Sequence, residues 1–174
     1  MNHPDSPAPN QTARVRELFL RDDNAYGCAE TALVVLQEAY GLPEATDSSA
    51  AMALNGGVAY SGGICGAVSG AALAIGRLAS RHIDDHQEAK RTARGIVQAI
   101  IADFDAEFGS HECVSLTGYD LSAPDQHDAF ILAGTWRRSC TRQIEFVIAR
   151  MEALAADHGW SKAADPAEGG DSSP

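Results

Sequence analysis

Ile64 to Ala79 reads ICGAVSGAALAIGRLA, and this stretch decides the fold. Only Ser69 and Arg77 in it are polar, so the run predicts a helix buried nearly all round. Gly66, Gly70 and Ala74 recur every four residues. Residues at that spacing share one helix face, which is therefore nearly bare backbone that a second helix can approach closely. Upstream, Gly56, Gly57, Gly62 and Gly63 form a flexible lead-in, with Ser61 placed to cap the orphan amides of the helix start. Cys65 stands at the first turn. A glycine-rich loop feeding a helix that opens with a cysteine is a plausible chemical site. The plainer reading is a tightly packed core helix with an inert thiol, since free cysteine is among the most buried residue types.

Around this centre the periodicity predicts further helices. One runs from about Gln11 to Arg21, with Ala13, Val15, Leu18 and Phe19 inward, and Asp22 to Asn24 break it. The next runs from about Tyr26 to Tyr40 on the stripe Ala29, Ala32, Leu33, Leu36 and Ala39, and Gly41 and Pro43 end it. A short helix is expected over Ser49 to Leu54. A long one, Asp84 to Phe108, carries the stripe Ala89, Ala93, Ile96, Val97, Ile100, Ile101, Phe104 and Phe108, with its charges on a solvated face. One turn at Glu112 to Leu116, a short helix over Asp125 to Ala133 and a last helix from Cys140 to Asp157 complete the set. No sustained alternation of period two occurs. The fold class is therefore all-α: a single-domain bundle of five to seven helices around the central one, covering residues 11–160, with disordered tails over 1–10 and 161–174.

Composition narrows the partners. The 174 residues favour one domain, and 45% hydrophobic content supports a core without staples. The net charge of −11 disfavours nucleic acid and anionic lipid, and the apolar runs are too short and interrupted to insert in a bilayer. The start, MNHPDSPAPNQTA, lacks the basic and apolar regions of a secretory signal, so a cytoplasmic location is expected. Thiols are kept reduced there, and a cysteine set suggests redox or metal chemistry more than structural bridges.

Four cysteines are present, Cys28, Cys65, Cys113 and Cys140, separated by 36, 47 and 26 residues. No CxxC or CxxCH occurs, so zinc ribbon, thioredoxin and covalent haem signatures are absent. Cys28, Cys65 and Cys140 each fall near a predicted helix start, and Cys113 near a helical turn. Helix starts present unpaired amides and the positive end of the dipole, which favour a thiolate. If these starts converge, they form a sulfur-lined pocket edged by Gly62, Gly63 and Gly66. Arg137 and Arg138 could add positive charge beside Cys140, and His111 could accept a proton near Cys113. Plainer readings are solvated arginines, a surface histidine and inert core thiols.

Several pieces together resemble a family. They are CAETALV from Cys28 to Val34, Gly56-Gly57 leading to GICGAVSGA from Gly63 to Ala71, CVSLTGYDL from Cys113 to Leu121, and Cys140. In order and spacing, over about Leu18 to Leu154, the chain resembles the redox-active proteins named for a C…GCAxxG…C…C pattern. The central motif here reads Cys-Gly-Ala where the family's name has Gly-Cys-Ala. The resemblance implies a small helical protein with four key cysteines and a redox role. Genes of this family often neighbour transporter genes, which implies an accessory role beside a transporter.

Three functions follow as expectations. The first is a small soluble redox-active protein whose clustered thiolates carry out thiol–disulfide electron transfer or redox sensing, with Cys65 as the reactive thiolate and any of the other three resolving it. Whether that makes it a thiol-dependent oxidoreductase stays open, as do its redox partner or small-molecule substrate and the formation of a homo-oligomer. The second is a metal-binding protein in which Cys28, Cys65, Cys113 and Cys140 hold an iron–sulfur cluster or zinc. The third is a non-catalytic helical interaction module with inert thiols. The glycine-rich run is neither a P-loop nor a dinucleotide fingerprint, and no HExxH or GxSxG occurs.

Overall fold

The computed structural model describes residues 9–163. Residues 1–8 and 164–174, which hold most of both expected tails, lie outside the described residues. The described chain forms α1 (Pro9–Phe19), α2 (Cys28–Ala39), a 3-10 turn (Ser49–Leu54), α3 (Gly66–His82), α4 (His86–Phe108), α5 (Cys113–Thr117), α6 (Pro124–Ala133) and α7 (Trp136–Asp157). Among the described residues the only strand-like feature is an isolated antiparallel bridge between Ile64 and Glu112. The fold is all-α.

Helix α3 is the hub, packed against α2, α4, α7 and the 3-10 turn. Ala67, Ala71, Ala74, Ile75 and Leu78 on it have no exposed surface. Burying Ile75 and Leu78 stabilises the fold by roughly 1.5–3 kcal/mol each. The approach of α2 to α3 depends on glycine. A Cβ at Gly70 would lie 2.2 Å from the Ala29 carbonyl oxygen, and one at Gly66 would lie 2.3 Å from the Cys28 sulfur.

Helix α3 is less enclosed than its composition predicts. Gly76 and Ser80 are exposed and line an open groove with Ala72, Leu73 and the Gly41–Pro43 turn. The polar residue of the run explains this side. Arg77 donates to the Pro43 carbonyl at 2.6 Å, and Arg81 to the Gly41 carbonyl at 2.9 Å. Both place positive charge at the carbonyl end of α2, where the helix dipole favours it.

The other elements follow local signals. Asp85 caps α4 by accepting the Glu88 amide at 2.8 Å, and Gly109 ends it at φ 82°. Helix α7 starts at Trp136, a turn before the expected Cys140. Gly134 closes α6 at φ 62°, and Thr135 is already helical, so the chain re-enters a helix at once. The amide of Ser139 bonds the Thr135 carbonyl at 2.9 Å, which makes Trp136 to Ser139 the first turn. Ser61 does not cap α3. Its hydroxyl donates to the Gly57 carbonyl at 2.5 Å and ties the glycine loop to itself.

Candidate functional site

Three of the four cysteines stand at helix starts. Cys28 is the first residue of α2, Cys65 the N-cap of α3, and Cys113 the first residue of α5. Cys140 lies one turn inside α7. A short zipper joins the entries of α3 and α5. The Cys65 amide donates to the His111 carbonyl at 2.7 Å, the Cys113 amide to Gly63 at 2.7 Å, and the Val114 amide to Gly62 at 3.1 Å. Gly66, bare of a side chain, lets the Cys28 sulfur rest on the start of α3. All four cysteines are free thiols.

The loop before α3 does more than lend flexibility. Gly56, Gly57, Val58, Ala59 and Tyr60 all have φ between 50° and 74°, a continuous left-handed turn. That conformation costs about 1–2 kcal/mol for each residue other than glycine. Return hydrogen bonds hold it, including Ala59 N–H to Ala53 at 2.7 Å and Gly63 N–H to Gly57 at 3.1 Å. Gly57 has no room for a Cβ, which would lie 2.5 Å from the Gly63 nitrogen. Strain held this way recurs at functional sites. Here the turn sets Tyr60 beside His127 of α6, ring centroids 5.2 Å apart and edge to face.

Under Tyr60 lies a cavity of about 280 Å³ lined by Cys28, Cys113 and Cys140. Its apolar wall includes Phe19, Leu121, Phe130 and Trp136. The wall is braced by Phe19 against Trp136 at 5.4 Å and Tyr119 against Phe130 at 5.6 Å. Cys65 is 4% exposed and is not part of this lining. Gly62, Gly63 and Gly66 do not line it either, being taken up by the Cys113 zipper and the Cys28 contact.

A polar relay fixes Cys28. The N-cap of α2 is Gly27, which has no side chain to offer. Asn55 supplies the missing acceptor from the end of the 3-10 turn: its Oδ1 accepts the Ala29 amide at 2.9 Å and faces the Cys28 sulfur at 3.8 Å. Its Nδ2 donates to Glu30 Oε2 at 2.9 Å. The buried Glu30 carboxylate also accepts the Gly27 amide at 2.9 Å and the Ser48 hydroxyl at 3.1 Å. Neither Asn55 nor Glu30 stood out in the sequence. Asn55 is distant in the chain from the α2 residues it serves, and the only signal was a Glu two residues after Cys28 and an Asn before the double glycine.

Burial, not the helix dipole, governs these thiols. It pushes the Cys113 thiol up from 9.0 to about 11, with Cys28 adding repulsion. Cys65 and Cys140 are also held well above their usual range by burial and by neighbouring sulfurs, Cys28 foremost among them. Cys28 is raised by burial too, but the amides of Gly56, Ala29, Cys28 and Gly66 face its sulfur and oppose the rise. The expectation of lowered thiol pKa values at helix starts is therefore corrected, because desolvation outweighs the exposed amides.

The charged neighbours are engaged elsewhere. Arg137 lies over the Trp136 ring at 4.5 Å and faces Asp22 at 3.7 Å. Arg138 lines a separate recess with Phe108, Leu116 and Arg142. The His111 imidazole bonds Asp105 at 2.9 Å, and only its backbone carbonyl reaches Cys65. Among the described residues, no group of three or more His, Cys, Asp or Glu side chains is arranged to hold a metal ion.

Residues 26–154 match a family described as "Putative redox-active protein (C_GCAxxG_C_C)". The chain belongs to this family. Its matched span begins two residues before Cys28 and includes all four cysteines, α2 to α6 and most of α7. Neither the curated proteins nor the solved structures contain a match. No helix among the described residues is long and apolar enough to cross a membrane.

Proposed function

We propose that this C_GCAxxG_C_C protein is a thiol–disulfide redox protein in which Cys28 is the attacking sulfur and Cys140 or Cys113 resolves the mixed disulfide. The observation that carries the reading is that Cys28, Cys113 and Cys140 open into one cavity. Exchange needs a second sulfur near the first, and a shared cavity gathers three thiols around one space that an oxidant can enter. Cys28 is favoured over Cys65 because it meets the cavity and has backbone amides from two helix starts and the glycine loop turned toward it. Those amides offset negative charge on the sulfur when its proton leaves. Cys65, buried behind this group, serves in the reading as a packing thiol at the α3 start.

The metal reading draws less support, since among the described residues no group of three or more His, Cys, Asp or Glu side chains is arranged to hold a metal ion. The experiment is an equilibrium titration of the reduced chain against dithiothreitol redox buffers, with free thiols counted at each potential. A reversible loss of two thiols per chain without a change in helical circular dichroism is expected. A full thiol count throughout, with iron or zinc bound to the protein purified without oxygen, would favour the metal reading instead.

A further inference from the structure

We propose that the cavity over Cys28, Cys113 and Cys140 admits small uncharged disulfides and turns away anionic or bulky ones. This deepens the exchange reading above and rests on it. At about 280 Å³ the cavity has space for a molecule of roughly ten non-hydrogen atoms. Trp136, Phe130 and Leu121, all buried, form walls that hold this size. Tyr60 stands at the edge on its left-handed turn, against His127.

Charge is the second filter. No lysine or arginine lines the cavity, and its one basic side chain, His127, packs edge to face against Tyr60. Its carboxylate, Glu30, is occupied by the Gly27 amide, Asn55 and the Ser48 hydroxyl, so it neither needs nor attracts a cation. The nearest guanidinium in sequence, Arg137, is held over the Trp136 ring and toward Asp22. A carboxylate entering this space would leave water with no guanidinium or ammonium partner inside it, which is costly. A neutral disulfide leaves water at little cost and gains apolar contact.

The chemistry closes without a further reactant. Cys28 loses its proton to solvent, and its sulfur attacks one sulfur of the disulfide RSSR. The S–S bond breaks, a mixed disulfide forms, and the first RS⁻ leaves and takes up a proton. A second protein thiol then gives up its proton and attacks the Cys28 sulfur, expelling the second RS⁻, which is protonated in turn. Two protein thiols are oxidised to one disulfide, and RSSR is reduced to two RSH.

The test uses the full reduced chain with three probes: bis(2-hydroxyethyl) disulfide, the dianionic dithiodiglycolate of similar size, and the neutral but bulkier disulfide of N-acetylcysteine amide. Rates are referred to those of the same chain unfolded in guanidinium, which cancels the intrinsic reactivity of each probe. The folded chain is expected to favour the first probe over either other by at least about tenfold more than the unfolded chain does. Ile131→Lys, placing a cation on the cavity lining, should raise the anionic-to-neutral rate ratio several-fold. Leu132→Lys makes the same charge change on a side chain that is 86% exposed and off the lining, and should leave that ratio unmoved. Equal ratios in folded and unfolded chains, or equal effects of the two lysine variants, would overturn the selectivity while leaving exchange intact. Failure of every probe to oxidise the folded chain would take the exchange reading down with it.

Discussion

At Asn55 one amide group ties the 3-10 turn to the start of α2. Its oxygen serves the start of α2 and the Cys28 sulfur, and its nitrogen serves Glu30. Asn55→Ala leaves the Ala29 amide without its cap and removes one donor from a buried carboxylate. Each such loss costs about 1–3 kcal/mol, so the denaturant midpoint should fall clearly. Asn55→Asp is expected to be worse, because it sets a second carboxylate beside Glu30, and it should slow alkylation of Cys28 at a fixed pH by adding negative charge near the sulfur. An unchanged midpoint in both variants would show that the relay carries no stability. Sequence could mark Cys28 as a candidate from its type and place. It could not mark Asn55, because the helix it caps begins 27 residues earlier and only folding brings the two together.

The packing of α3 shows the same division between what a local pattern reveals and what tertiary contact decides. The four-residue spacing of Gly66 and Gly70 was legible as a close-approach face, and α2 occupies it. The open side at Gly76 was not legible, since a glycine reads alike whether it faces a helix or water. Paired substitutions separate the two. Gly70→Ala forces a Cβ against the Ala29 carbonyl and should cost about 1–3 kcal/mol, with Gly70→Leu costing more. Gly76→Ala meets nothing within 4 Å and should instead stabilise by up to about 1 kcal/mol, the helix propensity of alanine over glycine. Thermal or denaturant unfolding of both variants checks the opposite signs. The start of α7 escaped the sequence for a related reason: Gly134 ends one helix and the next begins immediately, at a Thr135 that is itself helical and makes no side-chain cap bond.

Across the whole molecule the four sulfurs form one electrostatic group. Their helix-start positions were largely legible, while the direction of their pKa shifts was not, because burial is a property of the assembled bundle. The consequence is a pH dependence of stability. A buried thiol keeps its proton over a range in which the unfolded chain has lost it, so stability falls as pH climbs past the ordinary thiol value and levels off once the folded thiol ionises too. For Cys113 that window runs from 9.0 to about 11, a loss of about 3 kcal/mol. Under reducing conditions the denaturant midpoint should hold up to about pH 8 and then decline, and a flat profile to pH 10 would contradict burial of the group. The claim that Cys28 is the common exchange partner of this group is tested most directly by disulfide mapping. The reduced chain is oxidised while folded, the remaining thiols are blocked, and peptides are assigned by mass spectrometry in the parent and in each Cys→Ser variant. One intramolecular disulfide from Cys28 to Cys140 or Cys113 is expected, lost in Cys28→Ser and retained in Cys65→Ser; a disulfide that survives Cys28→Ser, or four thiols left free after oxidation, would contradict this role of Cys28.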